Sequence, residues 1–265
     1  MIEIPNATVV QNPSIYDVFR CETRNGYKPI NLTIGNPNLK PPVAYYQAMR
    51  EVLSDLENAE WNKHGYIVDE DPFGLCSKIA QKLSRDYELD FVGQDVAITV
   101  GATGAIDVIL KTLLDSECDS NPARDATGEV IIVAPYFVEY INIVKSNNGR
   151  VVIVNSGKQY GLDMAAIESS ITEYTRAIII NSPNNPTGKV YSNKELNDLA
   201  ELLKRKNLEY GISITVIEDS VYDTIVFSGT SVPSIVPHYS FVLWFPVKHN
   251  RKILHNSGKQ YGLDM

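Results

Sequence analysis

Cysteine, histidine, tryptophan and positive charge are all scarce in this chain of 265 residues. The three cysteines, Cys21, Cys76 and Cys118, are odd in number and widely spaced. That spacing argues against a disulfide framework or a metal knuckle and fits reduced thiols in a cytoplasmic protein. The four histidines, His64, His238, His249 and His255, show no ligand spacing. Lysine and arginine number 24 against 32 acidic residues, a net charge of -8. This balance argues against nucleic acid or an anionic membrane as the main partner. A small anionic ligand stays compatible with it, because backbone amides and a few local cations suffice. No apolar run approaches a membrane span, and Met1-Ile-Glu-Ile-Pro5 lacks the basic-then-apolar order of a signal peptide.

What remains is ordinary for a globular protein, with 44% apolar and 21% charged residues. The length suits one large domain or two small ones. Residues 1–42, rich in Asn and Pro, read as an extended N-terminal arm. Val43 to Leu56 reads as a helix, and Leu75, Ile79 and Leu83 mark another by their spacing. Val96 to Val100 is a short strand that breaks at Gly101 and opens a helix through Ile106, Ile109, Leu110 and Leu113. Further strands are expected over Glu129 to Ala134, Val151 to Val154, Ala177 to Ile180, Ile212 to Ile217 and Ser240 to Phe245. Ser192-Asn-Lys-Glu195 has the form of a capping box, followed by one apolar helix face of Leu196, Leu199, Ala200 and Leu203. Apolar strands alternating with helices predict an α/β fold, a mostly parallel sheet flanked by helices on both faces. Ligands of such sheets sit beyond the C-terminal strand ends. Gly101, Phe137, Asn185 and Asp219 all fall there.

Three local patterns carry chemistry. Gly101-Ala102-Thr103-Gly104 lies between a strand and a helix, where free amides and the Thr103 hydroxyl favour a phosphate. Asn181-Ser-Pro-Asn-Asn185-Pro-Thr-Gly188 directly follows an apolar strand. One helix and one strand later come Asp219 and Tyr222, in the order Asp-x-x-Tyr. A lone Asn-Pro pair is a turn and a lone Asp at a strand end is a cap. The long match around them gives them weight.

The Asn-Asn-Pro-Thr-Gly loop and the later Asp-x-x-Tyr pair resemble the large domain of fold-type I enzymes that use pyridoxal 5'-phosphate (PLP), the class I/II aminotransferases. The resemblance covers about residues 30 to 245. It implies amino-group transfer between an amino acid and a 2-oxo acid, a homodimer, and roles residue by residue. Gly101, Ala102 and Thr103 match the phosphate loop. Phe137 matches the aromatic residue on the cofactor face, with Tyr136 the neighbouring alternative. Asn185 and Tyr222 donate to the ring oxygen. Asp219 pairs with the protonated pyridine nitrogen, with Glu218 the competing acid. Tyr66 resembles the tyrosine that reaches a partner subunit's phosphate, and Gly35 the early glycine bordering the substrate.

The same resemblance implies a Ser-x-Ser-Lys-like segment roughly 30 to 35 residues after the Asp, whose lysine carries the cofactor. Ser240-Phe-Val-Leu243 looks like the strand leading to it, but no such motif follows. Lys248 and Lys252 lie 29 and 33 residues after Asp219, fitting by count, and Lys259 in Ser257-Gly258-Lys259 fits loosely by context. Lys252 and Lys259 are the candidates for the catalytic amine. Residues 256–265 repeat residues 155–164 letter for letter. Similarity does not extend around the copies as it does in structural repeats. The expected organisation is therefore an arm over 1–42, an incomplete PLP-binding large domain over 43–247, and an aberrant tail over 248–265. The small domain is expected to be absent and the truncated chain inactive. The alternatives are a PLP-dependent lyase or decarboxylase, and a non-catalytic scaffold.

Overall fold

Alternation of strand residues between two cores shows how the sheet is built. The computed structural model describes residues 40–57, 74–114, 128–246 and 252–255, which fall in two compact units divided after Tyr66. The described part of the first unit is a helix, α1 (Val43–Glu57), preceded by residues 40–42. The second unit holds α2 (Leu75–Tyr87), β1 (Val96–Thr99), α3 (Gly101–Leu114), β2 (Glu129–Ala134), α4 (Glu139–Ser146) and β3 (Arg150–Asn155). It continues with α5 (Met164–Ser170), β4 (Thr175–Asn181), α6 (Asn193–Tyr210), β5 (Thr215–Ser220), β6 (Val242–Pro246) and β7 (Lys252–His255).

Five strands form a wholly parallel sheet in the order β3-β2-β4-β5-β6. Successive side chains of a strand point to opposite faces, and the two cores sort accordingly. Ile131, Val133, Ile178, Ile180 and Val216 face one core with Leu196, Leu199 and Leu203 of α6 and Ala80 and Leu83 of α2. Val130, Ile132, Ala177, Ile179 and Ile217 face the other, with Ala105, Ile106, Ile109 and Leu110 of α3 and Tyr140, Ile143 and Val144 of α4. Both faces are covered, as near-continuous apolar strands require. Each fully buried Ile or Leu contributes roughly 1.5–3 kcal/mol of transfer free energy. A Leu→Ala change at Leu199, which has no exposed surface, is expected to cost about 2–5 kcal/mol.

The chain leaves β2 for β3 on one side, then returns to place β4 on the other side of β2. The sheet thus has its switch point between β2 and β4, where a crevice opens beyond the C-terminal strand ends.

The strand expected over Ile212 to Ile217 lies three residues later, at Thr215–Ser220. The reason is the end of α6. Gly211 takes a left-handed φ of 63° as its C-cap. The Ile212 N–H then donates to the Asn207 carbonyl, and the Ile214 N–H to the Asn207 side-chain oxygen. Residues 211–214 are used in stopping the helix, and the strand continues into the polar but buried Glu218, Asp219 and Ser220. The capping box at Ser192 and Glu195 forms as expected, with each side chain accepting from the other's backbone N–H. A two-stranded antiparallel sheet pairs β1 with β7, Thr99 opposite Lys252. Among the described residues no helix is long and apolar enough to cross a membrane.

Candidate active site

One cleft collects most of the residues singled out by sequence. Ala102, Thr103, Phe137, Asn185, Asp219 and Tyr222 all line it, together with Ile106, Tyr140, Ile143, Asn181 and Val221. Its floor is the switch point. β1 ends at Thr99, and α3 starts at Gly101 with φ 76°, a backbone that favours glycine. The Thr99 hydroxyl donates to the Gly101 carbonyl at 3.0 Å. The N–H groups of the first turn of α3 have no partner within the helix, so this wall of the cleft offers donors. Ala102 is buried there and Thr103 exposed.

The loop after β2 supplies the aromatic wall. Phe137, not Tyr136, lines the cleft; both pack against the core of α3 and α4. Tyr140 stands one turn further on, its ring edge-on to Phe137 with centroids 5.6 Å apart.

The loop after β4 is held by its own amides. Asn184 accepts from the Thr187 hydroxyl at 2.8 Å and from the Thr187 N–H at 3.2 Å. Its amide donates to the Pro135 carbonyl at 3.3 Å, joining this loop to the one after β2. Asn185 is half-buried, and its N–H donates to the Asn181 side-chain oxygen at 2.6 Å.

Asp219, the last but one residue of β5, stands opposite Asn181, the last pair of the β4–β5 ladder. It is only 5% exposed. The Tyr140 hydroxyl donates to its Oδ2 at 2.7 Å, and the Val221 N–H to Oδ1 at 3.4 Å. Burial first, and then the Asp219 charge, push the Tyr140 phenol well above its ordinary range, so at neutral pH it stays a donor. Glu218, the competing acid, points the other way. It accepts from the Ser234 hydroxyl at 2.6 Å and from the Ile235 N–H at 3.3 Å. Burial lifts its carboxyl to about 7. Asp219 is the acid that faces the cleft.

The donor set suits a phosphorylated, cationic aromatic ligand. It combines helix amides for a phosphate, an aromatic wall for a flat ring, an acid for a protonated nitrogen, and amide and phenol donors for a ring oxygen. These features fit PLP. Among the described residues no cluster of histidine, cysteine and acids could hold a metal.

Two polar lining residues lie outside the sequence-based candidates, Tyr140 and Asn181. Tyr140 could have been found from its place one helical turn beyond Phe137. Asn181 is a polar residue closing the apolar buried run Ala177 to Ile180, and that change is the signal that marks it. Of the lysine candidates, the backbone of Lys252 is placed, as the first residue of β7. Lys248, Lys259, Tyr66 and Gly35 lie outside the described residues.

The comparisons agree with this geometry. The family model of the class I and II aminotransferases matches residues 27–263. A probable aspartate aminotransferase of Methanocaldococcus jannaschii is 29% identical over 218 residues, covering 82% of this chain and 52% of that protein. A probable aspartate/prephenate aminotransferase of Thermus aquaticus is 30% identical over 232 residues, covering 86% of this chain and 55% of its own. The crystal structure of an aminotransferase from Eubacterium rectale superposes with a TM-score of 0.75 at 29% identity, covering 85% of this chain and 56% of that one. The chain spans about half the length of the curated relatives it matches. Class I and II aminotransferases are PLP-dependent enzymes. With a family match over most of its length and a cleft built from the same motif residues, this chain belongs to the class I and II aminotransferase family.

Proposed function

We propose that this chain binds PLP in the cleft between α3, β4 and β5 and carries the cofactor-holding part of an aminotransferase. One observation carries the reading. A buried acid, Asp219, the N-terminal turn of a 14-residue helix, α3, and the aromatic Phe137 line the same cleft. Few ligands need an anion, a phosphate cradle and a ring surface together.

When bound, PLP supplies an electron sink for the bonds at a substrate α-carbon. The chain's own residues do the rest. Asp219 holds a proton on the pyridine nitrogen. Asn185 and Tyr222 donate to the ring oxygen, and Phe137 keeps the ring flat. Gly101, Ala102 and Thr103 take the phosphate. Tyr66 of a partner subunit and Gly35 complete the phosphate and substrate borders in a cytoplasmic homodimer. The substrates are an amino acid and a 2-oxo acid.

The amine comes from Lys252 or Lys259. Backbone placement supports Lys252. It opens β7 opposite Thr99, and Thr99 is two residues before Gly101, where the phosphate cradle begins. A lysine amine placed there could move a proton at the substrate α-carbon.

The test is borohydride reduction of the full chain with PLP, followed by peptide mass mapping. Label confined to Lys252 or Lys259 supports the assignment of the amine. Scattered label, or none, refutes it. The cofactor site itself is tested by equilibrium binding of PLP to the unmodified chain and to Asp219→Ala. Equal affinity of the two proteins would sink the site.

A further inference from the structure

We propose that Asn181 is the positioning residue that sets the spacing between the two cofactor-facing groups, Asn185 and Asp219. The inference rests on the cofactor reading above.

Asn181 is the last residue of β4 and is 4% exposed. Its side chain lies on the same sheet face as Ala177 and Ile179, four and two residues back. That face is the one lined by α3 and α4, where the cleft opens. The β4–β5 ladder ends at the pair Asn181–Asp219. Beyond it the chain turns into the loop, and backbone pairing no longer fixes Asn185 against β5.

The Asn181 carboxamide bridges that gap. Its Nδ2 donates to the Asp219 carbonyl at 2.7 Å. Its Oδ1 accepts from the Asn185 N–H at 2.6 Å. The Ser182 N–H adds a second bond to the same Asp219 carbonyl at 3.2 Å. One flat amide therefore holds both main chains, and neither bond uses the Asn185 side-chain amide or the Asp219 carboxylate. A carboxamide suits the task because it presents a donor and an acceptor in one rigid plane. An alanine there leaves a buried carbonyl with one bond fewer and frees the Asn185 backbone.

A double-mutant cycle tests this on the full chain, with pyridoxamine 5'-phosphate as probe, since it binds without a covalent link. Equilibrium affinity is measured for the unmodified chain, Asn181→Ala, Asn185→Ala and the double variant. Melting without ligand is followed alongside. Asn181→Ala is expected to weaken binding about tenfold, as for residues sharing one hydrogen-bond network. In the Asn185→Ala background the same change is expected to cost less than about twofold. That non-additivity marks action through Asn185, which a general loss of stability does not produce. Additive losses, or unchanged affinity in Asn181→Ala, overturn the inference while leaving the cofactor site standing. An unmodified chain that does not bind the probe overturns the cofactor reading and this inference together. Where Asn181→Ala does not fold, Asn181→Ser enters the same cycle. Its hydroxyl is too short to span both partners, so the same non-additive pattern is expected and an additive one refutes the role.

Discussion

Glu218 and Asp219 are adjacent acids on one strand, equally hidden, with opposite surroundings. Glu218 is 1% exposed and Asp219 5%. Strand alternation sends them to opposite faces. Asp219 looks into the cleft, where its donors are Tyr140 and its own turn at Val221. Glu218 looks into the core packed by α2 and α6, where it fastens Ser234 and Ile235 of the β5–β6 connection. The difference shows how one strand serves two purposes. An acid facing a cleft can meet a cation brought by a ligand. An acid facing a core has only the donors the fold supplies. Two such bonds do not offset burial for Glu218, and its carboxyl rises to about 7, with the neighbouring charge of Asp223 adding to the rise.

The comparison can be broken first through pH. Because the Glu218 carboxyl is raised from 4.5 to about 7 in the folded chain, the folded state keeps a proton that the unfolded chain gives up. The stability it contributes is complete below about 4.5 and is lost as pH rises towards about 7, levelling above that. The span corresponds to about 3 kcal/mol. Chemical denaturation across this range is expected to show the slope, and Glu218→Gln to flatten it. A slope that persists in Glu218→Gln would assign it to another group.

Asp219→Asn is the matching change on the other face. It is expected to weaken PLP binding about thirtyfold, or about 2 kcal/mol, the scale of a charge-assisted bond lost in a buried site. The Glu218 slope is expected to stay. Titration calorimetry and denaturation read the two effects separately. Tyr140→Phe comes next, with a loss of about 1 kcal/mol in stability, because a buried carboxylate loses its phenol donor. Ligand-free melting checks it. The smallest effect is expected from Ser234→Ala. Removing the hydroxyl that lowers the Glu218 carboxyl should push its titration further up and cost about 0.5–1 kcal/mol. A titration midpoint that falls in Ser234→Ala would reverse the reading of that bond.

Much of the site was legible in the sequence because its residues sit at strand ends, where a change from apolar to polar marks the position. Asn185 and Asp219 were readable from motif and place, and so was the cap at Ser192. The resemblance put Phe137 before Tyr136 and Asp219 before Glu218, and the structure lines the cleft with Phe137 and Asp219. Sequence placed the strand three residues early, since the helix stop at Gly211 uses residues that look strand-like. Tyr140 was missed because its value lies in a partner 79 residues away. The helix that carries it, α4, has only 8 residues and little periodicity to display.

The strand order also has a consequence for how the protein is made. β2 and β3 can pair as soon as both have been synthesised. β4 then adds to the free edge of β2, and β5 and β6 each add to the outer edge of the strand before. The sheet can therefore grow in one direction as the chain emerges, domain folding being able to keep pace with synthesis. β1 stands apart, for its partner is β7. The strand that leads into α3 thus gains its strand neighbour only after the whole five-stranded sheet has been laid down, although α3 itself already packs on β2 and β4.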